Sequence, residues 1–322
     1  MRVFSCIPLP DHVDSAFRDA FSLTVASPGA ALEELRSRAD DGDLFDAIVT
    51  SLGAPRLTAA EIDRLPPTVR MIATYSVGTE HIDLDAARRR GLAVSSTPGT
   101  LVASVAETAM LLMLGAARRV TESVALVRGG GWTGWSPRQL NGMELAGKTL
   151  GIYGMGEIGE AVAVRARAFG MAIAYHNRRR RDGADATFIP DADALMGASD
   201  VLLLAAPSTP ETRGFVNAAR LRTARPSLVL VNIARGDLVV DDDLIAALKE
   251  RRIFAAGLDV FANEPDFDRR YLALPNLFML PHIGSSTLEA RLAMAESVIR
   301  SIRAFFAGES DPARIVEGRV RS

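Results

Sequence analysis

A glycine-rich turn near the middle of the chain restricts the choice of fold. It reads Gly154-Met155-Gly156-Glu157-Ile158-Gly159 and lies between a predicted strand, Thr149–Gly154, and a helix predicted over Glu160–Phe169. This spacing is typical of dinucleotide-binding folds: the first glycine permits a tight turn, the second lets a pyrophosphate approach the backbone, and the third lets the helix pack on the strand. The N–H groups at the helix N-terminus favour the anion. We therefore predict that all six residues of this turn line a dinucleotide cofactor.

Composition favours a two-domain globular protein. The chain has 322 residues, of which 48% are hydrophobic and 24% charged, with a formal net charge of −2. This length suits two ordinary domains, and the charge balance offers no basic excess for nucleic acid or an anionic membrane. No apolar run approaches the roughly 18 residues of a membrane helix, and the N-terminus lacks an apolar stretch of signal-peptide length. Cys6 is the only cysteine and no histidine pair has metal-ligand spacing, so we expect no disulfide, no metal and a cytoplasmic location.

Short β-branched runs alternate with longer helical segments along the chain. This alternation predicts an α/β protein with two doubly wound parallel-sheet domains, the first flavodoxin-like and the second a Rossmann domain. The predicted strands are Arg2–Cys6, Leu23–Ala26, Ala47–Ser51, Met71–Tyr75 and Leu92–Ser95, then Thr149–Gly154, Ala172–Asn177, Val201–Ala206, Ser227–Ile233, Ala255–Phe261 and Leu277–Leu280. One long helix is predicted over about Val102–Arg128 and another over about Leu288–Phe306.

The strand after the glycine turn bears on the choice of cofactor. In an NAD site that strand ends in Asp or Glu, which binds the ribose 2′-OH. Here it ends in Asn177, and four arginines follow, Arg178 to Arg181. A carboxylate would repel a 2′-phosphate, whereas guanidinium groups bind one through paired hydrogen bonds. The pattern therefore favours NADPH over NADH, with the 2′-phosphate bound by Arg178 and a neighbour such as Arg179. The alternative is that the arginines form a solvated basic loop with no role in cofactor binding.

Three residues at predicted strand ends suggest catalysis. Arg235, Glu264 and His282 each follow an apolar strand of the second series, and ligands of open α/β sheets bind at such strand ends. Hydride transfer to a 2-oxo acid needs a proton donor, for which an imidazole is suited, and a nearby carboxylate orients that imidazole. An arginine can hold the substrate carboxylate. Each residue has a structural alternative when taken singly, but together they predict a catalytic trio.

Five segments together resemble the D-isomer-specific 2-hydroxyacid dehydrogenase family, over roughly residues 45 to 306. They are Tyr75–Asp83, Gly154–Gly159, Asn232–Asp237, Gly257–Phe261 and Leu280–Gly284. Within the family the chain is most similar to bacterial NADPH-dependent glyoxylate/hydroxypyruvate reductases.

The resemblance implies a role for further residues. Arg235, Glu264 and His282 match the family's catalytic residues, and the backbone N–H groups of Val77 and Gly78 would bind the substrate carboxylate. Asp259 would hold the nicotinamide carboxamide. The remaining residues expected at the cofactor are Asn177, Ala206, Pro207, Ile233, Ala234 and Gly284, with Arg235 and His282 beside them.

The resemblance also implies a domain plan and an assembly. Residues 1–98 and 287–322 would form the substrate domain, and residues 99–286 the NAD(P)-binding domain. Such enzymes are typically homodimers, with the helix over Val102–Arg128 at the dimer contact. The loop that carries Trp135 resembles one that reaches the partner's active site, although packing in the dimer would also account for it.

Substrate preference is left open among related compounds. Val105 stands where close relatives often have a threonine, and Thr100 adds a hydroxyl near the expected substrate side. Pocket size at Thr100, Leu101 and Trp135 would separate glyoxylate and hydroxypyruvate from 2-ketogluconate or bulkier 2-oxo acids. An NAD-linked D-hydroxyacid dehydrogenase and a dinucleotide-sensing interaction module also fit the pattern, although the intact trio argues against lost catalysis.

Overall fold

The computed structural model describes residues 1–311 and 313–316. The chain divides into two compact units, one formed by Met1–Leu101 with the chain from Ser286 onward and the other by Val102–Ser285. The predicted boundaries, after residues 98 and 286, lie three residues before and one residue after these divisions.

The first unit is built on a parallel sheet with helices on both faces. Its strands are β1 (Arg2–Ser5), β2 (Ser22–Val25), β3 (Ala47–Thr50), β4 (Met71–Thr74) and β5 (Ala93–Ser95), and its first helices are α1 (Asp11–Ala20), α2 (Ala31–Asp40), α3 (Ala59–Asp63) and α4 (Leu84–Arg90). The order β2-β1-β3-β4-β5 confirms the predicted flavodoxin-like arrangement. Successive side chains of a strand pack on opposite faces of the sheet. Phe4 and Ile48 lie in the core on one face and Val3 and Val49 in the core on the other, as expected for strands that are buried on both faces.

The second unit confirms the predicted Rossmann arrangement. Its strands are β6 (Thr149–Tyr153), β7 (Ala172–His176), β8 (Thr187–Phe188), β9 (Val201–Leu204), β10 (Val229–Asn232), β11 (Ala255–Leu258) and β12 (Leu277–Met279), and its helices are α5 (Val102–Ala117), α6 (Val120–Arg128), α7 (Glu157–Ala168), α8 (Ala192–Ala198), α9 (Ala218–Thr223) and α10 (Asp241–Lys249). Short 3₁₀ helices cover Gly236–Leu238 and Arg269–Ala273. The sheet order is β8-β7-β6-β9-β10-β11-β12, all parallel. The order reverses beside β6, and ligands of such sheets bind at the strand ends around this point.

The chain returns to the first unit through α11 (Leu288–Ala307) and β13 (Arg314–Val316). Thr287 caps the helix by accepting a hydrogen bond from Ala290 N–H at 3.2 Å. Val298, Ile302 and Phe305 of α11 are fully buried in the core beside β1 and β3. The strand β13, which was not expected from the sequence, pairs antiparallel with β5.

Two local predictions were wrong, and a second short strand was missed. The helix expected over Val102–Arg128 is divided into α5 and α6, because Arg119 adopts a left-handed conformation with φ 56° and its guanidinium pairs with Glu122 at 2.6 Å. The helix after the glycine turn begins at Glu157 rather than Glu160. The two-residue strand β8, too short for any periodic signal, was not predicted.

Two properties of the described part of the chain bear on the function class. Every helix there is too short or too polar to cross a membrane. No group of three or more His, Cys, Asp or Glu side chains among the described residues is placed to hold a metal ion.

Candidate active site

The glycine turn that joins β6 to α7 is tightly packed at two of its three glycines. Gly154 has φ 102°, and a Cβ atom there would lie 2.5 Å from the backbone nitrogen of Ala206. A Cβ on Gly159 would lie 2.8 Å from the carbonyl oxygen of Gly154. A Cβ on Gly156, by contrast, would meet no atom within 4 Å. The protein's own packing therefore does not require a glycine at position 156, and the open space fits the pyrophosphate of a dinucleotide.

Gly156 is also the N-cap of α7, and it supplies no side-chain acceptor to the first turn. The N–H groups of that turn have no intrahelical partner by the geometry of any α-helix. Their direction and the helix dipole suit an anion at this point. The turn thus has the shape and the donors that a dinucleotide phosphate needs.

Asn177 follows β7 and is bonded to the glycine turn. Its Oδ1 accepts a hydrogen bond from Met155 N–H at 2.6 Å, and its Nδ2 donates to the Met155 carbonyl oxygen at 3.1 Å. The side-chain amide of Asn177 therefore bonds both the N–H and the C=O of Met155. Because Met155 N–H is occupied in this way, its backbone donor is not directed at a phosphate.

The arginine run after Asn177 divides into two groups. Arg178, Arg179 and Arg180 are exposed. Arg181 is only partly exposed: its Nη2 lies 2.5 Å from Glu160 Oε2, and its backbone N–H donates to the Tyr175 hydroxyl at 2.9 Å. The first three side chains are therefore more exposed than that of Arg181.

His282 and Glu264 form a hydrogen-bonded pair. The His282 Nδ1 lies 2.7 Å from Glu264 Oε2, and Glu264 Oε1 accepts from Phe261 N–H at 2.5 Å. Burial raises the pKa of Glu264, but the hydrogen bonds from His282 and Phe261 and the charges of His282 and Arg235 outweigh it, so the pKa falls below its ordinary value. An ionised carboxylate can only accept, so Nδ1 carries a hydrogen and Nε2 is the imidazole nitrogen that a substrate can meet.

Arg235 is carried by the turn after β10. Its Nη1 donates to the Ala234 carbonyl oxygen at 2.6 Å. Asn232 braces the turn, because its Nδ2 donates to Arg235 O at 2.9 Å and its Oδ1 accepts from Ala234 N–H at 3.0 Å. Asn232 lies within one of the five family-like segments, but nothing in the local sequence indicated this bracing role.

Gly236 brings the Arg235 turn against the segment that leads to Glu264. A Cβ on Gly236 would overlap the backbone carbon of Phe261, so no other residue fits without a backbone shift. The segments that follow β10 and β11 are therefore in direct backbone contact. Together with the bond between Glu264 and His282, this contact brings the three residues of the predicted trio to one edge of the sheet.

Asp259 has a contact that was not predicted from the sequence. It is 2% exposed, and its two oxygens accept from Ile283 N–H and Gly284 N–H, both at 2.8 Å. His282 N–H also donates to the Asp259 carbonyl oxygen at 2.8 Å. Burial raises the pKa of Asp259, with the two hydrogen bonds opposing the rise. The residue therefore fixes the segment that presents His282, which itself has φ 54°.

The residues expected near the substrate have varied surroundings. Val77 and Gly78 follow β4, and in the part of the chain that the structure describes their N–H groups meet no protein acceptor. The Thr100 hydroxyl, expected near the substrate side, donates to the Thr97 carbonyl oxygen at 2.8 Å. Leu101 packs against the core of the first unit, and Trp135 is 85% exposed.

The other residues expected at the cofactor lie in the second unit beside the glycine turn or the Arg235 turn. Ala206 is buried where the segment after β9 approaches Gly154, with Pro207 next to it, and Ile233 and Ala234 are buried in the turn before Arg235.

Comparison with known proteins identifies one family. The family model for the NAD-binding domain of D-isomer specific 2-hydroxyacid dehydrogenases matches residues 110–284. The chain is 41% identical over 308 residues to the glycerate dehydrogenase of Hyphomicrobium methylovorum, covering 94% of each chain. It is 39% identical over 321 residues to the glyoxylate reductase of Pyrococcus furiosus, covering 97% of this chain and 94% of that one.

A solved structure agrees over the whole chain. It is that of the NADPH-dependent glyoxylate/hydroxypyruvate reductase of Sinorhizobium meliloti, in complex with NADP and malonate. The TM-score is 0.88 at 32% identity, and the match covers 100% of this chain and 99% of that one.

Proposed function

The chain belongs to the D-isomer-specific 2-hydroxyacid dehydrogenase family, and from this membership we propose that it reduces small 2-oxo acids, glyoxylate and hydroxypyruvate first, with NADPH. The family makes it an oxidoreductase of the glyoxylate and glycerate type. The observation that carries the proposal is the 2.7 Å contact of His282 with Glu264 at the strand edge that also holds Arg235.

The proposed proton donor is His282. A nicotinamide bound at this site would supply the hydride, and the substrate carbonyl oxygen would then gain negative charge and need a proton. The doubly protonated imidazole donates it from Nε2 while Nδ1–H stays bonded to Glu264. Glu264 thus keeps the ring in one orientation through the transfer, and Asp259 keeps the backbone of His282 in place.

The proposed substrate anchor in the second unit is Arg235. A guanidinium presents several N–H donors in one plane, so it can bind a carboxylate oxygen and the neighbouring carbonyl oxygen together. Asn232 and Gly236 fix the turn that carries it. In the first unit, the N–H groups of Val77 and Gly78 are proposed to bind the substrate carboxylate, which their unoccupied donors support.

The proposed cofactor site is centred on the glycine turn. Gly156 leaves room for the pyrophosphate, and the first turn of α7 supplies N–H donors. Preference for NADPH is supported by Arg178 and Arg179, which are exposed and directly follow Asn177, the residue bonded to the turn. It is also supported by the uncharged side chain of Asn177, which does not repel a 2′-phosphate. The solved relative from S. meliloti holds NADP.

Cofactor preference can be tested by removing the two arginines. The double variant Arg178→Ala/Arg179→Ala should raise the KM for NADPH by roughly 10-fold or more, since each charge-assisted hydrogen bond lost is worth about 1.5–3 kcal/mol. The KM for NADH should change little. The control Arg222→Ala removes an exposed arginine from α9 and should alter neither value. Equal rises for both cofactors would contradict the assignment.

Turnover with a panel of 2-oxo acids tests the substrate class. Glyoxylate and hydroxypyruvate should be reduced faster than 2-ketogluconate or branched 2-oxo acids, and His282→Ala should lower kcat by roughly 10²–10⁴-fold. Faster oxidation of glycerate with NAD would favour the NAD-linked dehydrogenase. Cofactor binding without turnover of any 2-oxo acid would favour a dinucleotide-sensing module.

We also propose a homodimer. Val127 on α6 is 60% exposed, and Trp132 and Trp135 just after it are 57% and 85% exposed, which is unusual for large apolar side chains. A second copy of the chain would cover them. Sedimentation should show a dimer, and Trp135→Ala should weaken it or raise the KM for the 2-oxo acid.

A further inference from the structure

Three buried side chains form a hydrogen-bond chain behind the Val77–Gly78 loop. Ser76 Oγ donates to the Gly78 carbonyl oxygen at 2.7 Å. Thr74 Oγ1 lies 2.7 Å from Ser76 Oγ, and His81 Nε2 lies 3.1 Å from Thr74 Oγ1. All three side chains are nearly inaccessible to solvent, with Thr74, His81 and Ser76 at 0%, 5% and 6% exposed. We refer to these three residues as the hydroxyl chain.

The direction of each hydrogen bond in the hydroxyl chain follows from the number of hydrogens. Ser76 has one hydroxyl hydrogen, which goes to Gly78 O, so Ser76 Oγ must accept from Thr74. The Thr74 hydrogen is thereby used, so Thr74 Oγ1 accepts from a hydrogen on His81 Nε2. The other acceptor near the Thr74 hydroxyl, Thr50 O, is farther away at 3.4 Å. The hydrogen bonds of the hydroxyl chain therefore all point the same way, from the His81 imidazole to the Gly78 carbonyl oxygen.

The hydroxyl chain sets the orientation of the Val77–Gly78 loop backbone. The C=O and N–H of a trans peptide point in opposite directions, so holding the Gly78 carbonyl toward Ser76 turns the next N–H, that of Thr79, away from Ser76. A second bond, from Thr97 N–H to Ser76 O at 3.0 Å, fixes the residue itself. Ser76 is buried whereas Val77 is 42% exposed, and the N–H groups of Val77 and Gly78 meet no acceptor among the described residues.

We propose that Ser76 is a positioning residue for substrate binding, held in its working orientation by Thr74 and His81. Its hydroxyl keeps the Val77–Gly78 loop in the conformation that presents N–H donors to the substrate carboxylate. This inference rests on the proposed function, because it concerns the loop to which that function assigns the carboxylate. Ser76 itself does not touch the substrate.

The test compares matched hydroxyl deletions. Ser76→Ala should raise both the KM for glyoxylate and the Ki of oxamate, a 2-oxo acid analogue that cannot be reduced, by roughly 3- to 30-fold, the range expected for a lost buried hydrogen bond. The kcat and the Kd for NADPH should change by less than about 3-fold. Ser95→Ala is the matched control, since Ser95 is fully buried in the adjacent strand and, among the described residues, its hydroxyl meets no partner. It should leave all four values at those of the parent protein.

Variants of Thr74 separate the hydroxyl from the shape of the side chain. Thr74→Val keeps the side-chain volume but removes the hydroxyl, so it should raise the KM for glyoxylate and the Ki of oxamate. Thr74→Ser keeps the hydroxyl, so both values should stay near those of the parent protein. The double variant Ser76→Ala/Thr74→Val should be no worse than Ser76→Ala alone, because Thr74 acts through Ser76. Hydrogen exchange of the peptide over residues 75–82 should be faster in Ser76→Ala than in Ser95→Ala.

The outcomes distinguish the inference from the proposed function. A parent protein that reduces glyoxylate, with a Ser76→Ala variant whose KM and Ki match those of Ser95→Ala, would overturn the inference alone, and faster exchange without a change in KM would do the same. A parent protein that reduces no 2-oxo acid and does not bind oxamate would overturn the proposed function and the inference with it.

Discussion

Glu264 links two parts of the candidate site through its two carboxylate oxygens. One oxygen accepts from Phe261 N–H, three residues earlier, and the other from His282, eighteen residues later. The first bond fixes the carboxylate against its own turn, and the second fixes the imidazole against the carboxylate. The positive charge of Arg235 adds to the stabilisation of the ionised form. Glu264 thus orients the imidazole of the proposed proton donor, while Asp259 holds its backbone.

Glu264→Gln should change how stability depends on pH. The pKa of Glu264 in the folded protein is below its ordinary value of 4.5, so its ionised form stabilises the fold above that pH, and this stabilisation is lost as pH falls through the folded value. We expect the parent to be more stable than Glu264→Gln by about 1 kcal/mol at neutral pH, a figure kept small because the carboxylate is partly exposed. Urea unfolding between about pH 3 and pH 7 should show the difference shrinking toward low pH. A constant difference would contradict the assignment.

Arg235→Lys should lose most of its activity. An ammonium group cannot reproduce the planar contact with two substrate oxygens, so kcat/KM should fall by roughly 10²-fold or more. Cofactor affinity, measured by fluorescence titration with NADPH, should remain near that of the parent. An active Arg235→Lys enzyme would mean that the carboxylate is held elsewhere, for example by Val77 and Gly78 alone.

At the scale of the elements, the turn between β6 and α7 has glycines that serve different purposes. Gly154 has a positive φ and faces Ala206, so folding itself requires it. Gly156 has φ −95°, which any residue can adopt, and open space beside it. The spacing predicts a different role for each of these two glycines, and the packing around them differs as well.

The two alanine variants of this turn should therefore behave in opposite ways. Gly154→Ala should lower the Tm by several degrees, because a Cβ there meets backbone that cannot move away and the conformation is strained. Gly156→Ala should leave the Tm of the protein without cofactor nearly unchanged but weaken binding of both NADPH and NADH. Calorimetry and fluorescence titration measure the two effects. A destabilised Gly156→Ala with parent affinity would refute the idea that its space belongs to a ligand.

At the scale of the molecule, the two units differ in how the chain forms them. The second unit is continuous, Val102–Ser285, and has its own buried core. The first unit needs α11 from the far end of the chain, because Val298, Ile302 and Phe305 complete the core around Val13 and Phe17. Residues 1–101 alone would leave that apolar surface exposed to water.

Fragments of the chain should differ accordingly. The fragment 102–285 should unfold cooperatively on heating and bind NADPH, while the fragment 1–101 should lack a cooperative transition by circular dichroism. A control chain with residues 1–101 joined through a flexible linker to α11 should regain cooperativity. Cooperative folding of 1–101 alone would show that α11 is not needed for that core.

The amino-acid sequence alone determined the fold class. Strands and helices bury apolar residues with different periods, and these periods can be read from the local sequence without knowing which elements pack together. It also placed the glycine turn and put Arg235, Glu264 and His282 after successive strands, since in a parallel sheet the ends of such strands share an edge. It placed the ends of some elements wrongly: the strand predicted over Ala255–Phe261 ends at Leu258, because its apolar pattern continues into the loop that carries Glu264.

Only the tertiary structure decided which groups meet. Asn177 clamps Met155 across 22 residues, Asp259 binds the backbone after His282 across 24 and 25 residues, and β13 pairs with β5 from the opposite end of the chain. The Thr100 hydroxyl, expected near the substrate side, donates to the Thr97 carbonyl oxygen. Local periodicity reflects which face of an element is buried, whereas a hydrogen-bond partner depends on distance and direction in space, which are settled only when the sheets are assembled.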